Sequence, residues 1–163
     1  MDNKATEDLE MTVLVAEEEG RYEDAFAMYQ QLADQGHPYA MSSLARFYDD
    51  GLAVDADFDL GLYWAEKAIA AGDLTAINNL AVTFRRIGQM RKSKALFEQA
   101  LAAGDLGAAL DLAQIYSISD QETDRVKHYL QIVLDGEVYV TVSEGDIEEA
   151  QALLAEIAGR DLA

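Results

Sequence analysis

Glycine recurs in this 163-residue chain just past alanine-rich apolar runs, in surroundings that repeat. Gly36, Gly72, Gly104 and Gly136 follow Leu32-Ala33-Asp34-Gln35, Ala68-Ile69-Ala70-Ala71, Ala100-Leu101-Ala102-Ala103 and Ile132-Val133-Leu134-Asp135, at intervals of 36, 32 and 32 residues. Four residues after the first three glycines stand Ala40, Ala76 and Ala108; eight after, Leu44, Leu80 and Leu112; nine after, Ala45, Ala81 and Ala113. Twelve after comes an aromatic, Tyr48, Phe84 or Tyr116, and seven before the four glycines stand Tyr29, Ala65, Phe97 and Tyr129. Self-similarity at a period near 33 residues marks a stack of supersecondary units, none of which can bury its apolar face alone. That register excludes a fold built around one unrepeated core.

Within each unit the apolar positions recur at three- and four-residue spacing, which puts them on one helical stripe. Gly20, Gly51 and Gly88 divide the units into pairs, and the terminal glycines suit the left-handed position just past a helix end. The spacing predicts helices over 6–19, 22–35, 38–50, 57–71, 74–87, 90–103, 106–118 and 121–135. Pro38 falls at a helix start, where its missing N–H is harmless. Ser143 precedes Glu144 and Asp146, an N-cap with first-turn acids for a last helix over 144–158. The chain therefore reads as a single all-α domain of about four helix-turn-helix repeats, 6–36, 37–72, 73–104 and 105–136, followed by 137–163. In that last part Glu137-Val138-Tyr139-Val140-Thr141-Val142 alternates and is β-branched, as an extended segment would be. It serves either as a connector to a helix that caps the stack or as an edge strand open to pairing.

The second unit carries a family resemblance. Ala40, Leu44-Ala45, Tyr48, Gly51-Leu52-Ala53-Val54, Asp57, Trp64-Ala65, Lys67-Ala68 and Ala71-Gly72 resemble a Sel-one-like repeat, the subclass of tetratricopeptide repeats with a longer loop between its helices. The other units are shorter and are similar to ordinary tetratricopeptide repeats; the first, with Thr12, Val13 and Ala16, departs most and suits an irregular cap. The resemblance implies a right-handed α-solenoid with a C-terminal capping helix, whose concave face binds other proteins. It places on that face Glu7, Glu10, Leu14, Glu17 and Glu18 of the first unit and Tyr39, Ser42, Arg46, Asp49 and Asp50 of the second. Thr75, Asn78, Val82, Arg85 and Arg86 follow in the third, and Leu110, Gln114 and Ser117 in the fourth. Peptide-binding relatives grip extended ligands with Asn and basic residues here, for which Asn78, Arg46, Arg85 and Arg86 are the counterparts. Leu14 and Val82 stand where a carboxylate clamp uses polar groups, so the resemblance implies protein binding without a C-terminal carboxylate grip.

Catalytic and metal constellations are thin. Cysteine is absent, which excludes disulfides, thiolate zinc sites and a cysteine nucleophile. His37 and His128 lie in different units and read as a helix-start residue and a helix-surface residue. No phosphate-binding glycine loop or nucleophile elbow occurs. Asp55, Asp57, Asp59 and Glu66 occupy places one, three, five and twelve of a calcium loop, but place six, which needs glycine, is Leu60. Asp57 and Asp59 suit instead the cap and first turn of the helix bearing Trp64. Trp64 with Tyr63, and the Tyr29, Phe97 and Tyr129 series, read as inter-helix packing residues, Trp64 being one place off the series and so partly exposed. The expectation is a protein that is not an enzyme and uses no cofactor.

Charge bears on partners. Thirty-one acidic residues against 12 basic ones give −19, which disfavours direct contact with nucleic acid or an anionic membrane. The excess is uneven: residues 1–59 hold 15 acids and 3 bases, 60–104 hold 3 and 6, and 105–163 hold 13 and 3. A slightly basic middle thus separates two acidic flanks. The expected partner is another protein with a basic patch, met by an adaptor or scaffold. An acidic immunity or inhibitor protein neutralising a basic toxin uses the same complementarity. A homodimer through the capping region is also compatible with the sequence. With no basic leader before an apolar run and no long uncharged apolar stretch, the expected compartment is the cytoplasm.

Overall fold

The computed structural model describes residues 3–118, 122–136 and 142–160. Among them nine helices follow one another: α1 (Asn3–Glu18), α2 (Tyr22–Asp34), α3 (Pro38–Asp50), α4 (Phe58–Ala70), α5 (Thr75–Arg86), α6 (Met90–Ala102), α7 (Gly107–Ser117), α8 (Thr123–Leu134) and α9 (Glu144–Arg160). The predicted spans match these to within about two residues, except that α1 begins at Asn3 rather than at 6. The extended segment expected over 137–142 lies, apart from Val142, outside the described residues.

Backbone geometry explains the breaks. Gly20, Gly36, Gly72, Gly88 and Gly104 take left-handed φ values of 71°, 89°, 95°, 79° and 101°. The residue after each glycine donates its N–H five positions back, as Arg21 does to Ala16 at 2.8 Å, His37 to Leu32 at 3.1 Å and Asp73 to Ala68 at 3.0 Å. These bonds satisfy carbonyls that the helix end would otherwise orphan. Gly136 is a correction to the pattern: its φ is not left-handed, and a Cβ there would stand 3.1 Å from both Val142 methyls and from the Val133 carbonyl. Close approach, not backbone freedom, accounts for that glycine.

Helix starts follow the sequence closely. Pro38 opens α3 behind an extended His37. The Asp57 side chain accepts the Leu60 N–H at 3.0 Å and caps α4. Ser143 Oγ accepts the Asp146 N–H at 3.1 Å, while the Ser143 N–H donates to Asp146 at 2.8 Å, a reciprocal capping box for α9. The longer loop, residues 51–57, begins with Gly51 at φ 68° and returns through the Asp57 N–H, which donates to the Tyr48 carbonyl at 2.9 Å.

The chain divides into two compact units, Met1–Leu80 and Ala81–Ala163. In the first, α1 packs on α2, α2 on α3 and α3 on α4. Their shared core centres on Tyr29, Phe47, Leu32 and Leu44, with Val13 and Ala16 contributed by α1. The Tyr29 and Phe47 rings meet edge to face at 5.7 Å. Small residues at the repeat positions (Ala25, Ala40, Ala68, Ala76) let the helices close on these large side chains. In the second unit α6 packs on α7, α7 on α8, and α9 on α8 with a smaller contact to α7. Phe97, Leu112, Val126, Leu130 and Ala150 are buried there, so α9 covers apolar surface that a final repeat would otherwise expose.

Candidate functional site

In the first unit, α1 and α3 present the residues assigned to the inner face. Glu10 is exposed, its Oε1 3.1 Å from His37 Nδ1 at the start of α3. Two turns beyond, Glu17 accepts a hydrogen bond from the Tyr29 hydroxyl at 2.6 Å and is ion-paired with Arg46. Burial and the Glu17 carboxylate push the Tyr29 hydroxyl far above its ordinary pKa. Tyr39 stands edge-on to the Tyr29 ring at 6.1 Å yet is 55 % exposed. Tyr29 thus links Glu17 to Tyr39, Arg46 joins through Glu17, and Glu10 joins through His37, two residues before Tyr39. Arg46 also lies 5.1 Å above the Phe47 ring.

The other assigned residues of this unit stand apart from that group. Ser42 donates to Asp73, which in turn accepts the Thr75 N–H at 3.0 Å at the start of α5. Asp49 is half-buried against α4, its carboxylate lying in the space that Gly61 leaves by having no side chain. Asn78 buries its Oδ1 with no hydrogen-bond partner among the described residues.

In the second unit, Arg85 donates to Asp111 at 2.6 Å and to Gln114 at 3.4 Å, and covers the Phe97 ring at 5.6 Å. Gln114 donates onward to Glu149 of α9 at 2.8 Å. Arg85 and Gln114, both assigned to the inner face, are brought within hydrogen-bonding reach of each other, and their polar groups are engaged by neighbouring helices. Arg86 is exposed at the last turn of α5, where a cation suits the helix dipole. Burial raises the Asp111 carboxyl pKa above its ordinary value, an effect that Arg85 only partly offsets. Sequence reasoning did not single out Asp111, Glu149 or the Tyr29 hydroxyl. The one charged residue of α7, seven places after Gly104, was the available signal for Asp111.

The aromatic series divides. Tyr29 and Phe97 are fully buried, as inter-helix packing requires, whereas Tyr129 is half-buried and stacks on Tyr116 at 5.8 Å. Trp64 is partly exposed as expected, but Tyr63 is 48 % exposed and is not a packing residue.

No family model matches the chain, and no curated protein matches it in sequence. The solved structures do supply a likeness: the crystal structure of a Sel1 repeat protein from Oxalobacter formigenes superposes with a TM-score of 0.61 at 20 % identity, over 82 % of this chain. The fold is that of a Sel1-like repeat protein. The chain spans about half of that structure, 54 % of its length. Its all-α class, with α1 to α4 packed in succession in one unit and α6 to α9 in the other, is that of a repeat solenoid. Among its described residues no helix is long and apolar enough to cross a membrane, and no three His, Asp or Glu side chains converge as a metal-sized group.

Proposed function

We propose that this Sel1-like repeat chain is a non-catalytic adaptor that binds another protein through the α1 and α3 face of its first unit, and that the partner offers a basic patch. The exposed Tyr39 ring, set in an acidic tract whose arginine is already neutralised, carries the reading. With Arg46 paired to Glu17, Glu10 and Glu18 leave the exposed charge on α1 negative. Leu14, 40 % exposed on the same helix, adds apolar surface. An exposed aromatic anchor beside a surplus of one charge sign is the pattern that gives both affinity and steering. Residues 1–59 carry 15 acids and 3 bases, so the long-range field agrees with the local one.

Fidelity to the repeat class supports binding over chemistry, and the cytoplasm remains the proposed compartment. The test is a pull-down with the purified chain, washed with salt rising to about 0.5 M, where screening reaches a few ångströms. The reading predicts a basic protein that is retained at low salt, released at high salt, and lost by the double variant Tyr39→Ala with Glu10→Lys. Retention unchanged in that variant would count against the α1 and α3 face.

A further inference from the structure

Helix α4 carries a second exposed row, of different chemistry. Leu60, Tyr63, Trp64 and Lys67 are spaced as i, i+3, i+4 and i+7, which sets them side by side on one helical face. The buried side of α4 is a different row, Gly61, Ala65 and Ala68, so of the exposed row only Trp64 is used in packing the unit. Leu60 is 40 % and Tyr63 48 % exposed, while Trp64 is anchored against the core of the first unit. The Tyr63 and Trp64 rings meet edge to face at 5.3 Å, and the Lys67 ammonium stands 4.8 Å and 5.1 Å from their centroids. The rings and the lysine brace one another, so covering them costs little side-chain freedom.

Charge decides what would cover this row. Arg21 and Arg46, in the same unit, are each ion-paired with acids of their own surroundings. Lys67 has no carboxylate partner among the described residues; its contacts are the two rings. An ammonium held over apolar surface without a counter-ion is best completed by a carboxylate. Asp59 and Glu66, exposed on a neighbouring row of α4, limit that complement to a single acid rather than a polyanion. We infer that the Leu60–Tyr63–Trp64–Lys67 row docks a partner protein segment that presents an aromatic or branched apolar side chain beside one carboxylate. This site is independent of the α1 and α3 face and selects the opposite charge.

Trp64 is the chain's single tryptophan, so its indole N–H resonance reports this row directly. The probes are three amide-capped peptides that share a Phe-Leu pair and differ in the next residue: Glu, Gln or Lys. The Glu peptide is expected to shift the indole signal saturably, the Gln peptide about fivefold more weakly. The Lys peptide, although drawn to a chain of charge −19, leaves the indole signal in place. Lys67→Met, which keeps the stem, reduces the Glu peptide to the Gln level. Tyr63→Ser weakens all indole binding about tenfold. Both side chains are exposed, and unchanged melting temperatures show that the variants fold. An unshifted indole at millimolar Glu peptide, equal shifts by the Lys peptide, or unchanged affinity in Lys67→Met would each overturn the inference.

Discussion

Two glycines that look alike in sequence behave oppositely at the residue scale. Gly61, inside α4, faces Asp49 and the Ala45 carbonyl of α3, and a Cβ there would meet the carboxylate well inside van der Waals contact and the carbonyl at 3.3 Å. Gly61→Ala is therefore expected to lower stability, although alanine is the better helix former by about 1 kcal/mol. Gly145, in the first turn of α9, meets only Ser143 Oγ at 3.6 Å, so Gly145→Ala is expected to stabilise by about 0.5 kcal/mol. Urea melts of both variants check the two signs. Asp111 gives a pH signature. Because burial raises its folded pKa above the ordinary 3.8, the folded state holds this proton more tightly than the unfolded chain does. Its contribution is full below the ordinary value and is lost as pH rises through the raised one. Asp111→Asn removes that loss, so the stability of the parent relative to the variant should fall as pH rises from the ordinary carboxylate range through the raised value. Parallel curves would contradict the assignment. Such pairs were not legible in the sequence, since Arg85–Asp111 and Tyr29–Glu17 join different helices and depend on how those helices pack.

Helix ends are where the sequence spoke most clearly. Left-handed glycines, Pro38, Asp57 and Ser143 act through bonds within a few residues of themselves, so composition alone locates them. Gly136 was misread because its constraint comes from Val142, packed against it from further along the chain. Asp57→Ala is expected to cost about 1 kcal/mol through the lost α4 cap, seen as a lower urea midpoint with an unchanged slope. Phe47→Ala, which empties the centre of the core shared by α2 and α3, is expected to cost about 3–5 kcal/mol. Exposed rows were harder to read. The period that marks a buried stripe also spaces Leu60, Tyr63, Trp64 and Lys67, and only packing tells which row of α4 is inward.

For the whole molecule, 31 acids against 12 bases mean that folding gathers like charges. Salt should therefore raise the melting temperature by several degrees through screening, an effect calorimetry at low and high ionic strength will show or refute. The share of that excess on residues 1–59, 15 acids against 3 bases, makes the first unit the proposed reader of a basic protein surface. Hydrogen–deuterium exchange on the complex with the captured basic partner tests that claim most directly. Added protection is expected at the amides of α1 and α3, around Glu10, Glu17 and Tyr39. Protection confined to other helices, with α1 and α3 exchanging as in the free chain, would contradict it.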